Sequence, residues 1–205
     1  MLEAKKKRFY EIMRAYHCLS DECMDALAAI SRHDEFHKGD TIVAQGKPCG
    51  NFFVIESGVT RVCFRKVNKE DTLCFGNGGD IFFSFHDWYG GEPPAFSLEA
   101  VDCKVNGWWI SIQKFKNLEE RYPELYKWMQ LLLVEQFYSI EILYRKLAMA
   151  TPSEKLDNFW NFLAPNLRSN SPKSLTRTLP LKFLAQYLGM TPQTLSKIRR
   201  KFVGR

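Results

Sequence analysis

Ten residues near the C-terminus, Thr191-Pro192-Gln193-Thr194-Leu195-Ser196-Lys197-Ile198-Arg199-Arg200, concentrate the side chains best suited to a chemical task. That task is hydrogen bonding to a polyanion, not bond breaking. The Gln193 amide donates and accepts at once, which matches an adenine edge, and Lys197, one helical turn on, can reach guanine O6 and N7. Thr191, Thr194, Ser196, Arg199 and Arg200 suit phosphate oxygens, which fix register without carrying sequence information. A phosphate at the start of such a helix also gains from the helix dipole. No competing chemistry is legible. The chain shows no Ser/His/Asp grouping, phosphate loop or metal constellation, and Asp80, Asp87 and Glu92 read as turn residues, so no catalytic or metal-ligating residue is assigned.

Side chains of this kind need two crossed helices to hold them. Leu181 to Phe202 has the required parts: small Ala185 where the helices touch, Gly189 at a turn that needs positive φ, Thr191 as N-cap and Pro192 at the first helical position. Leu195 and Ile198 pin the second helix inward. Together these predict a helix-turn-helix, with an ordinary helical hairpin as the bland alternative. Charge agrees with the first: residues 1–150 carry 19 Lys+Arg against 21 Asp+Glu, whereas residues 151–205 carry 10 against 2, with no carboxylate side chain after Asp157. A near-neutral front and a basic end suit a polyanion partner, or merely solubility.

The rest of the chain must position this unit. Residues 5–30 read as helical, with Ser20-Asp21-Glu22 as a cap and restart. From Phe36 to Ile112 short β-branched and aromatic runs alternate with glycine turns, which predicts a compact antiparallel sandwich or roll. A long helix over about 122–148 follows, with Pro123 at its start. Met129, Leu133, Gln136, Ile140, Leu143 and Leu147 keep a 4-3-4-3-4 spacing, the seam of a coiled coil, while Trp128, Leu132, Phe137 and Tyr144 take another face. This predicts a dimer seam, with Gln136 fixing register; a single buried helix is the other reading. Thr151-Pro152-Ser153-Glu154 is a capping box that restarts the chain after a hinge at Ala148–Thr151. The following helix is expected to run to about Leu163, then a loop over Asn166–Lys173 and a short strand over Ser174–Thr178. Six irregularly spaced cysteines read as buried free thiols, and the absence of a long apolar run or signal-like start points to the cytosol, away from membranes.

This order of elements resembles the Crp/Fnr family of transcription regulators. The front-end match is Lys38-Gly39-Asp40-Thr41-Ile42, Gly46, Phe53-Val54-Ile55, Gly58 and Arg61-Val62, followed by Gly78-Gly79-Asp80-Ile81-Phe82. The resemblance implies an α+β chain: an N-terminal antiparallel β-roll of double-stranded β-helix (jelly-roll) type with flanking helices, a long dimerisation helix, and a winged-helix-like helix-turn-helix with its wing truncated. Residues 1–148 would form the sensor domain and 149–205 the DNA-binding domain. The implied partners are double-stranded DNA at a pseudo-palindrome, a second copy of the chain, and RNA polymerase.

One departure bears on the effector. Members that bind cyclic nucleotides hold ribose and phosphate with a Gly-Glu pair and an Arg-Ser/Thr-Ala segment. Here those slots fall on Phe83-Ser84 and Pro93-Pro94-Ala95, while Gly91-Glu92 lies too close to Pro93 to replace the first. Without the arginine a phosphate loses its charge-assisted partner, and prolines lack N–H donors, so tight cyclic AMP binding is not expected. The remaining candidate pocket is Phe82, Phe83, Ser84, Phe85, Pro93, Pro94, Ala95 and Phe96, lined by core aromatics or by a cage for an unknown small-molecule effector. No cofactor is assigned: Cys18 and Cys23 are too sparse for an iron–sulfur cluster, and His17, His33, His37 and His86 lack ligand spacing. The alternative function is a small-molecule sensor, cyclic nucleotides included, acting through protein contacts.

Overall fold

The computed structural model describes residues 3–148, 150–159 and 179–203. Helices α1 (Glu3–Arg14) and α2 (Asp21–Ile30) lead into eight strands: β1 (Ser31–His37), β2 (Thr41–Val43), β3 (Asn51–Ser57), β4 (Thr60–Lys66), β5 (Lys69–Gly76), β6 (Ile81–Phe82), β7 (Ser97–Ala100) and β8 (Lys104–Ser111). A π-helical turn, His86–Gly90, lies between β6 and β7. Helices α3 (Ile112–Arg121), α4 (Glu124–Ala148), α5 (Pro152–Asn158), α6 (Leu181–Tyr187) and α7 (Pro192–Val203) follow.

The strands form two four-stranded antiparallel sheets, ordered β1-β8-β3-β6 and β2-β7-β4-β5. This is the antiparallel roll with flanking helices that the alternating runs predicted. Strand β3 explains its own continuous apolar stretch, because its sheet is covered on both faces. Phe52 and Val54 pack against the helices, while Phe53 and Ile55 point between the sheets. Burying a side chain of this size stabilises the fold by roughly 1.5–3 kcal/mol. Gly58 turns β3 into β4 with φ +90°, and a Cβ there would meet the Lys104 carbonyl, so only glycine fits.

Two helix starts follow their predicted caps. Ser20 accepts from the Cys23 amide, and Thr151 and Glu154 form the reciprocal capping box. Ser20 is also held from across the molecule: its amide and hydroxyl donate to Glu124 at 2.8 and 2.7 Å. Helix α4 begins one residue after Pro123 and buries Trp128, whose Nε1 donates to the Met13 carbonyl at 2.6 Å.

The structure corrects several expectations. Strand β1 starts at Ser31, inside a polar stretch without apolar alternation, because it is a sheet edge paired only to β8. The thiols are free, but Cys18 and Cys103 are exposed and only Cys23 and Cys63 are fully buried. The helix beyond Phe159, the loop Asn166–Lys173 and the strand Ser174–Thr178 lie outside the described residues.

Candidate nucleic-acid interface

Helices α6 and α7 meet at a turn built from the predicted residues. Gly189 has φ +62°, its amide donates to the Gln186 carbonyl at 3.0 Å, and the Met190 amide donates to the Ala185 carbonyl at 3.0 Å. Ala185, Leu188 and Leu195 are buried where the helices cross. Thr191 lies just before α7 and accepts from the Thr194 amide at 3.1 Å, so Pro192 falls at the first helical position, where no N–H is needed.

The polar side chains then sort by exposure. Thr191, Pro192, Gln193, Lys197 and Arg200 are exposed; Thr194, Ser196 and Arg199 are partly covered. The Thr194 hydroxyl is paired with that of Thr191 at 2.9 Å, so this pair acts first as a cap. Gln193 and Lys197, four residues apart, share one face of the helix. Chemically the arrangement offers an amide, an ammonium and guanidinium groups along one helix, with no acid to compete: the described part of α7 carries no carboxylate.

Sequence reasoning missed the residues that seat this unit on the roll. Helix α6 lies against β5, and Val59, Phe75 and Val101 of the roll share a buried cluster with Leu156, Phe159, Leu184, Tyr187 and Leu195. On the outer face of β4 and β7, Arg61 is only 3% exposed. Its guanidinium reaches Glu99 at 2.7 Å and Glu70 at 2.9 Å, and its flat face lies 3.5 Å from the centroid of the Phe183 ring. The only sequence-level signal was the alternation along β4, which set Arg61, Cys63 and Arg65 on one side.

Of the would-be effector residues, Phe83 and Phe85 come together, their ring centroids 4.9 Å apart, and the others scatter. Phe82 packs into the roll interior, whereas its neighbour Phe83 joins the helical core, as strand alternation requires. Phe85 and Phe96 are exposed, Pro93 is exposed and Ala95 is partly covered. Buried Pro94 spends its carbonyl on the Gly46 amide at 2.8 Å, and Ser84 receives the amides of Asp87 and Trp88. Asp80 accepts from the Asn77 amide at 2.7 Å, a turn role, whereas Asp87 accepts from the Gly50 amide at 2.7 Å and so ties the π-helical turn to the distant loop before β3. Burial, and then the Glu135 charge, raises the Asp80 carboxyl above its ordinary range.

The seam residues divide along α4. Met129 is buried in the chain's own core and Leu133 packs against it. Gln136 donates to the Ile81 carbonyl at 3.0 Å, so it is tied to its own roll. Ile140 is exposed, as are Phe137, Tyr138 and Tyr144 beside it; the side chains of Leu143 and Leu147 lie outside those described. Among the described residues no metal-ligand cluster exists, and no helix is long and apolar enough to cross a membrane.

Comparison with known proteins fits this architecture. No curated protein matches the sequence. The c-di-GMP responsive global regulator CLP of Xanthomonas campestris aligns with TM-score 0.70 and 12% identity over 90% of this chain and 92% of its own. The catabolite activator protein of Thermus thermophilus aligns with TM-score 0.55 and 18% identity over 94% and 87%. The cAMP-bound regulatory domain of Toxoplasma gondii PKA aligns with TM-score 0.52 and 15% identity over 57% and 45%. The chain thus spans under half the length of the PKA regulatory chains it matches. At these identities the likeness is one of fold. Residues 33–122, the roll and helix α3, match the model of the cyclic nucleotide-binding domain family.

Proposed function

We propose that the chain is a DNA-binding transcription regulator of the Crp/Fnr type, acting as a homodimer on a pseudo-palindromic operator. The observation that carries this reading is the capped, basic helix α7, with Gln193, Lys197 and Arg200 exposed along one face of it. Gln193 and Lys197 read base edges in the major groove, and Thr191, Thr194, Ser196, Arg199 and Arg200 hold phosphates. The exposed apolar half of α4 supports the homodimer: the seam residue Ile140 is 58% exposed, and Phe137 and Tyr144, expected on another face, are bare beside it, a surface that a second α4 would cover. Two copies joined there would set two reading helices about 34 Å apart, one turn of duplex. Resemblance to the family extends the partners to RNA polymerase.

The roll serves in this reading as a sensor frame without a phosphate grip, since the arginine slot is Pro93-Pro94, which offers neither a guanidinium nor a backbone N–H donor. Titration with cyclic AMP is expected to show no binding in the micromolar range; a micromolar Kd overturns that part.

The function itself is tested by measuring affinity for random-sequence duplex as salt rises from about 50 to 200 mM. Neutralising several phosphates per protomer predicts a loss of about a thousandfold or more. A flat salt dependence would instead favour a sensor that docks on proteins.

A further inference from the structure

We propose that Gln186 latches the helix-turn-helix onto the outer edge of the roll, so that strand β5, and not the hinge alone, sets the orientation of helix α7. Strand β5 is the edge of its sheet, and Gln186 from α6 grips it twice. Its Nε2 donates to the Glu70 main-chain carbonyl at 2.6 Å, and its Oε1 accepts from the Thr72 hydroxyl at 2.9 Å. Thr72 is almost wholly buried and also lies 3.3 Å from the Arg61 guanidinium. Both atoms of one amide are therefore satisfied by one strand, a geometry that a one-residue slip of α6 would break.

The surroundings make the latch a defined seat. Phe183, one turn before Gln186, lies over Arg61, whose guanidinium is fixed by Glu99 and Glu70. Stacking on a guanidinium already shielded from water is stronger than at an open surface. Lys182 adds a longer contact to Glu70 at 3.9 Å.

Two consequences follow from where β5 runs. Its far end enters the Asn77–Asp80 turn, which is bonded to Ile55 in both directions: the Ile55 amide donates to the Asp80 carbonyl at 2.9 Å and the Gly79 amide to Ile55 at 2.8 Å. A displacement of that turn therefore moves the strand that holds α6. On the DNA-binding reading proposed above, a unit held at both the hinge and the latch has lost its rotational freedom before it meets a duplex, which lowers the cost of engaging two half-sites.

Hydrogen–deuterium exchange on the full-length chain tests the latch without DNA, so its outcome stands apart from that of the duplex titration. Gln186→Ala is expected to speed exchange of the α6 amides and of the Glu70–Thr72 segment about tenfold, leaving α1 to α4 unchanged. Thr72→Val, which keeps the side-chain shape on the roll side, is expected to raise exchange in the same two segments. The double variant should give less than the sum of the two single effects, because both remove the Thr72–Gln186 bond, and the part it adds to Gln186→Ala is the lost Arg61–Thr72 contact. Unchanged α6 exchange in both single variants overturns the proposal. So does a Gln186→Ala effect that loosens α6 and α7 alike while Thr72→Val does nothing, since Gln186 would then serve only the helix-turn-helix itself.

Discussion

Gln136 donates its side-chain amide to the main-chain carbonyl of Ile81 at 3.0 Å, and this bond divides helix α4 into two halves with different surroundings. Before it, Trp128, Met129 and Leu132 are buried in the chain's own core. After it, Phe137, Tyr138, Ile140 and Tyr144 stand exposed. One helix thus closes the core of a protomer and then continues past it with an apolar surface that the protomer leaves bare.

The two halves should respond differently to substitution. Ile140→Glu places a charge on the bare half and is expected to shift the protein from dimer to monomer in analytical ultracentrifugation, with its far-ultraviolet circular dichroism unchanged. Trp128→Ala empties a fully buried site and breaks the bond to Met13, at a cost of about 3–5 kcal/mol in urea denaturation. A monomeric wild-type chain at tens of micromolar would refute the assignment of the bare half.

Removing Arg61 should be costly for an electrostatic reason. Its guanidinium lies between the buried Glu99 carboxylate and Glu70, with Arg65 bonded to both acids from the more exposed side. Arg61→Met leaves two carboxylates facing each other with one partner, and breaking a buried pair costs about 3–5 kcal/mol. The double variant Arg61→Met/Glu99→Leu should recover most of the loss. If the double variant is as unstable as Arg61→Met, the cost is one of packing over Phe183.

Asp80 predicts a stability that falls as pH rises. Burial raises its folded-state ionisation above the ordinary carboxylate range, with Glu135 adding to the shift. The folded chain therefore holds this proton more tightly than the unfolded chain, and stability declines as pH climbs from the ordinary value through the raised one. Asp80→Asn removes the charge while keeping an oxygen for the Asn77 amide. It is expected to be more stable than the parent at pH 7, the gap closing as pH falls below the ordinary carboxylate range. A less stable variant at pH 7 would mean that the charged hydrogen bond outweighs burial.

Lys197 and Arg200 should separate base reading from phosphate holding. Lys197→Ala is expected to relax preference at one base-pair position of a selected operator, a discrimination of about 1–3 kcal/mol. Arg200→Ala should weaken all duplexes alike and flatten the salt dependence by about one unit of slope. Uniform weakening by Lys197→Ala would reassign it to a phosphate.

The crossed helices α6 and α7 and the turn between them were legible because their determinants are local. Thr191 caps against Thr194, Gly189 turns against Gln186, and Ala185 receives the Met190 amide, so each instruction and its partner lie within five residues. The roll was legible as alternation and glycine turns for the same reason, and β1 was missed because an edge strand of polar residues carries no such local mark. What sequence periodicity left open, the topology decided. Whether Gln136 faces a second copy or its own roll depends on where β6 lies, and the partners of Arg61 come from strands β5 and β7 and, through Phe183, from helix α6. Caps and turns are satisfied by neighbours along the chain. A buried charge or a helix face is satisfied by whatever distant surface the folded chain brings against it, and only the tertiary structure shows which surface that is.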